Sequence, residues 1–214
     1  MNTLRLENIT KHMGSETVLS GINMQMQGGK IYGIVGKNGS GKSMLLRAIA
    51  DLIHLDEGTI FYNDTLVKKG LPREARVGLI IENVNLHMDL SAMENLTYLA
   101  KINKYISEKQ IRESLLRVNL DPENKKKIKT YSLGMRQKLI IAQAIMEQPE
   151  VLLLDEPTNA LDEASVQKLH QILREESERG AIILVVSHNR EDIEHLCEKV
   201  FMMNAGVLTE EKDK

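Results

Sequence analysis

Only one cysteine, Cys197, occurs in the 214 residues. A single thiol excludes an intrachain disulfide framework and fits a reducing compartment. Its place reads as a small apolar filler on a helix, not as a nucleophile. Tryptophan is absent and aromatic residues make up 3% of the chain. The core must therefore come from Leu, Ile, Val, Met and Ala, which suffices at this length. The formal net charge is only -2, which argues against a general nucleic-acid-binding surface and leaves a local basic patch open. The longest apolar runs, such as residues 181–186, fall far short of the ~18–20 residues a membrane span needs. No span of its own is expected, so any work at a membrane requires docking onto another subunit. Residues 1–7 lack the layout of a signal peptide. No repeat or low-complexity linker is evident, and the length fits one domain with a subdomain inserted.

What is there begins with alternation. Residues 4–9 and 22–26 alternate apolar and polar positions, predicting half-buried antiparallel strands. Residues 27–30 read as a turn, and 31–35, 151–154 and 182–186 as buried parallel strands. Residues 58–62 and 77–81 give two further strands. From about 83 to 146 the texture is helical, with helices predicted over 94–103, 108–118 and 133–146. A helix over about 163–178 between two buried strands makes a βαβ crossover, which implies parallel pairing. Residues 200–203 and 206–208 read as a closing hairpin, and 210–214 as a charged, frayed tail. The fold class is α/β.

The chemistry starts at Gly36-Lys37-Asn38-Gly39-Ser40-Gly41-Lys42-Ser43, which matches G-x-x-x-x-G-K-[ST]. The strand at 31–35 precedes it, and a helix beginning near Met44 follows. That strand–turn–helix context is what the motif needs. Glycines let successive N–H groups point at phosphate oxygens, and the helix N-terminus adds unpaired donors and partial positive charge. Lys42 is expected to reach the β- and γ-phosphates, and the Ser43 hydroxyl to bind Mg²⁺.

Two acids, Asp155 and Glu156, end the apolar run 151–154. The C-terminal end of a parallel strand is where α/β proteins place ligands. Asp155 can hold Mg²⁺, and Glu156 can act as general base on an attacking water. About twenty residues earlier, Tyr131-Ser132-Leu133-Gly134-Met135-Arg136-Gln137 opens a helix, with Ser132 as its N-cap. This stretch resembles the signature sequence of the ATPases of ABC transporters. The order phosphate loop, signature, Asp155-Glu156, then Ser187-His188 is similar to that family over essentially the whole chain.

The resemblance implies a P-loop ATPase of the ABC type. Its RecA-like core would take in residues 1–82 and 147–214, with an N-terminal antiparallel β subdomain and a helical subdomain at about 83–146. It implies ATP and Mg²⁺ as ligands and two ATPase domains, identical or different, packed head to tail. Gly36 through Met44 would then hold one nucleotide, with Lys42 also catalytic. Ser132, Leu133, Gly134 and Met135 would meet the nucleotide of the partner domain. Residues 159–162 look like the loop that crosses the interface, and His188 like the histidine near the γ-phosphate. A separate transmembrane permease is the implied partner, with no nucleic acid. The implied location is cytoplasmic, on the inner face of the membrane.

Two positions depart from the family pattern. Glu82 stands where glutamine is usual, about forty residues beyond Lys42; a carboxylate there suits Mg²⁺. Together with the Ser-Leu-Gly-Met signature it resembles the branch that exports antimicrobial peptides, including lantibiotic-immunity exporters. Met13, with His12 beside it and Val18 flanking, stands where an aromatic ring usually meets adenine. The basic run at 125–129 is either a solvated face or attracted to anionic lipid. Leu86, Met88 and Leu90 either pack into the core or meet the membrane subunit. Importers, which often carry an extra C-terminal domain, and non-transport ABC proteins acting in assembly or translation are the alternatives.

Overall fold

The computed structural model describes residues 1–67, 71–72, 75–81, 85–103 and 106–211. The opening alternation becomes β1 (Thr3–Met13) and β2 (Glu16–Gln27), paired antiparallel. β4 (Glu57–Tyr62) adds to β1, and a short β5 (Thr65–Val67) completes a four-stranded sheet in the order β2-β1-β4-β5. The second sheet has six strands. β3 (Lys30–Val35), β6 (Val77–Ile80), β7 (Val151–Asp155) and β8 (Ile182–Ser187) run parallel. The hairpin β9 (Lys199–Asn204) and β10 (Val207–Glu210) closes it in the order β10-β9-β3-β8-β7-β6.

The continuous apolar runs follow from burial on both faces of this sheet. Val151 and Leu153 of β7, with Ile182, Leu184 and Val186 of β8, face the antiparallel sheet and α1 (Lys42–Ile49). Leu152, Leu154, Ile183 and Val185 face the other way, into a core shared with the remaining helices. Those helices are α2 (Ala92–Asn103), α3 (Glu108–Arg117), α4 (Leu133–Ile145), α5 (Glu163–Glu178) and α6 (Arg190–Leu196). Among the described residues no helix is long and apolar enough to cross a membrane.

Three features differ from expectation. β5 and α6 carry too few residues to show a period. Glu210 belongs to β10, and the Glu211 carboxylate accepts from Arg190 at 3.0 Å, so the expected tail is ordered through 211. Cys197 sits just past α6 and not on a helix.

Burial pushes the Cys197 thiol up to about 12. Thiol reagents act on the thiolate. Cys197 should therefore stay unlabelled by a disulfide reagent at pH 8 in the native protein and react fully in urea. Rapid native labelling would place the thiol at the surface.

The helical part is tied to the sheet by charge as well as packing. Glu176 of α5 is buried, and its two carboxylate oxygens accept from Arg117 of α3 at 2.5 Å and from Arg179 at 2.6 Å. Arg117 also bonds Glu175 at 2.9 Å. Nearer the signature, Ile128 and Lys129 donate backbone N–H bonds to Leu90 and Met88, each at 2.9 Å. The Lys129 ammonium reaches Asp89 at 2.8 Å, while Lys125, Lys126 and Lys127 are exposed. Leu86 packs into the helical core and Met88 is exposed.

Candidate nucleotide site

The phosphate loop turns between β3 and α1 because two glycines permit contacts no side chain would allow. A Cβ on Gly41, whose φ is +108°, would stand 2.6 Å from the Val18 carbonyl oxygen. A Cβ on Gly36 would stand 2.3 Å from the Met203 carbonyl oxygen. The loop thus rests on β2 on one side and on the terminal hairpin on the other, where Gly206 donates to the Ser40 carbonyl at 2.9 Å. No side chain caps α1 at Gly41, so its first N–H groups are open to an anion.

Lys42 is buried, and its ammonium donates to the carbonyls of Gly36 at 2.7 Å and Lys37 at 3.1 Å. An ammonium has three donors, so one remains for a ligand. The Ser40 hydroxyl is buried and has no hydrogen-bond partner among the described residues. It stands in the wall of a cavity of about 410 Å³, lined by Asn38 through Met44, Val18, Glu16, Asp155 and Glu156. The cavity thus joins the loop to both acids at the end of β7. Asp155 is buried.

Glu156 is held tightly. Its φ of +46° is the left-handed region, which a residue with a side chain occupies only when its surroundings compel it. Its N–H donates to the Val186 carbonyl at 2.9 Å, which pins the turn to β8. The carboxylate accepts from the Ser187 hydroxyl at 3.0 Å and from the His188 N–H at 2.8 Å, and Nδ1 of His188 lies 2.8 Å from the same oxygen. Glu156 and His188 also line a larger groove, of about 820 Å³, with Asn159 and Ala160.

The signature residues lie elsewhere. Ser132 caps α4, accepting from the Met135 N–H at 3.2 Å, and Leu133 is 71% exposed. A Cβ on Gly134 would stand 2.8 Å from the Ala160 carbonyl, and Gln137 donates to the Pro157 carbonyl at 2.9 Å. The helix start therefore packs on the 157–160 loop of its own chain and does not line the 410 Å³ cavity. At the other end of that loop, Asp162 caps α5, and the Ser165 hydrogen bonds hold its carboxyl below the usual range.

The expected set thus divides. Structure brings Asn38 to Met44, Val18, Asp155 and Glu156 to one cavity, with Gly36 and Lys37 bonded to Lys42 and His188 bonded to Glu156. Met13 is 55% exposed and does not line the cavity. Glu82 lies outside the described residues. Glu16 lines the cavity although nothing local in the sequence marks it. Among the described residues no cluster of three or more His, Cys, Asp or Glu side chains could hold a metal by itself.

Residues 19–159 match the family described as ABC transporter. The uncharacterized ABC transporter ATP-binding protein YybJ of Bacillus subtilis is 48% identical over 206 residues, covering 96% of this chain and 94% of that protein. The bacitracin transport ATP-binding protein BcrA of Enterococcus faecalis is 37% identical, covering 97% of this chain and 68% of that protein. Among solved structures, the dimeric bacterial ABC transporter cassette MJ0796 superposes with a TM-score of 0.85 at 27% identity, covering 99% of this chain and all of that one.

Proposed function

This chain belongs to the ABC transporter family as an ATP-binding, ATP-hydrolysing subunit, and we propose that it powers export of a peptide antibiotic or similar amphipathic molecule. The single observation that carries the mechanism is the position of Glu156. It stands in the wall of the phosphate-loop cavity while Ser187 and His188 grip its carboxylate.

Gly36 to Met44 hold the triphosphate by backbone donors and the Lys42 ammonium, with the Ser40 hydroxyl as a further donor. Glu156 accepts the proton of the attacking water. His188, bonded to the same carboxylate, orients it. Ser43 and Asp155 are hard oxygen donors in one cavity and fit Mg²⁺; Glu82 joins them on sequence grounds. When bound, the ion neutralises charge on the phosphates.

The exposed signature end supports a head-to-tail pair of domains. Ser132 to Met135 lie outside the cavity of their own chain and offer a capped helix N-terminus to a second nucleotide. The MJ0796 cassette is a dimer, which supports the same arrangement here, as homodimer or heterodimer. The helical part, residues 83–146, is the proposed docking element for a separate transmembrane permease, which places the protein on the cytoplasmic face of the membrane. The substrate class follows the bacitracin transport relative.

The test is purification of the full chain from detergent-solubilised membranes of its own host. A multispan membrane protein should accompany it, and a peptide antibiotic such as bacitracin should stimulate ATP hydrolysis of that complex. Recovery of the chain with ribosomes or a soluble assembly, and no membrane protein, would replace transport with the non-transport reading.

A further inference from the structure

Among the described residues, Glu16 is the one acidic residue in the cavity wall that does not come from the end of β7. It is exposed, and among the described residues its carboxylate has no hydrogen bond or ion pair. In the hairpin it is the Cα partner of Met13 at the tip. The pairing of β1 and β2 slips between Lys11 and His12, leaving Val18 between the paired Thr17 and Leu19, and Glu16 and Val18 both line the cavity. The Val18 backbone lies against Gly41 at the start of α1. Glu16 is two residues farther toward the tip, about 7 Å along β2. It therefore marks the end of the cavity remote from the phosphate-loop donors.

A carboxylate can only accept hydrogen bonds. Beside a triphosphate it would meet like charge, which Coulomb repulsion disfavours. Beside a nucleoside it meets donors: the ribose hydroxyls, the adenine amino group, or the N–H and amino groups of guanine. No aromatic ring lines the cavity among the described residues.

We propose that Glu16 selects the nucleoside half of the nucleotide, accepting a hydrogen bond from a ribose hydroxyl or a base N–H. The proposal rests on the phosphate loop being the triphosphate site. Hydrogen bonds to a charged acceptor are strong enough for about a tenfold change in affinity.

Calorimetry with the full chain would compare MgATP, MgGTP, 2′-deoxy-ATP and inorganic tripolyphosphate across the native protein, Glu16→Ala and Glu16→Gln. The native protein should bind ATP about tenfold more tightly than Glu16→Ala does, with tripolyphosphate unchanged. A ribose contact should show as a native preference for ATP over 2′-deoxy-ATP that disappears in Glu16→Ala. A base contact should show as a changed ratio of ATP to GTP affinity. Glu16→Gln, which keeps an acceptor but no charge, should fall between. Equal affinity ratios in all three proteins would overturn the proposal. So would a tenfold gain in tripolyphosphate binding by Glu16→Ala, since the carboxylate would then face phosphate. Failure of the native protein to bind either ATP or tripolyphosphate would instead sink the underlying site.

Discussion

Replacing Glu156 by glutamine should lower ATP turnover by about 10²–10⁴-fold, the usual loss when a general base is removed. The amide oxygen can still accept from the His188 N–H, the contact made at 2.8 Å, and the amide NH2 can donate to the Ser187 hydroxyl, which lies 3.0 Å from the other carboxylate oxygen. The left-handed turn at residue 156 is fixed by its own N–H on Val186 and does not depend on the carboxylate. Geometry is therefore kept while basicity is lost. ATP affinity should hold, because Lys42 and the loop are untouched. The variant should accumulate as an ATP-bound dimer, seen as a doubled mass by size exclusion with light scattering at millimolar MgATP. Turnover within a few-fold of the native rate would remove Glu156 as the base.

The second large effect concerns stability. Glu176→Ala should cost about 3 kcal/mol in urea unfolding. The carboxylate is buried, and its loss leaves the guanidinium groups of Arg117 and Arg179 facing each other across α3 and α5. Both arginines are about one-third exposed. Water can therefore reach them, which places the cost at the low end of the range for broken buried pairs. Arg117→Ala should cost only about 1 kcal/mol, because Glu176 keeps Arg179 and the arginine is partly solvated. The order of the two losses is the test. Equal losses would mean that packing between α3 and α5, not the buried charge, holds the helical part to the sheet.

Much of this was legible in the sequence because it depends on neighbours along the chain. The phosphate loop lies between a strand and a helix that its own residues specify. β7 and β8 read as buried because both of their faces meet apolar layers. α5 occupies the expected residues, since its apolar period and the Asp162 cap are local signals. Ser132 was likewise visible as a cap. By itself the sequence determined the fold class and the family.

Tertiary structure decided what no local signal carries. It placed Glu16, an unremarkable acid in an alternating strand, in the cavity, and left Met13 outside it. It put Met203 and Gly206, nearly the whole chain away, under Gly36 and Ser40. It bent Glu156 into a left-handed turn and brought Ser187 and His188 to its carboxylate. It also brought Arg117 of α3 to the buried Glu176 of α5. Each of these depends on contacts between residues distant in sequence, which are formed only when the two sheets and the helical layer close on one another.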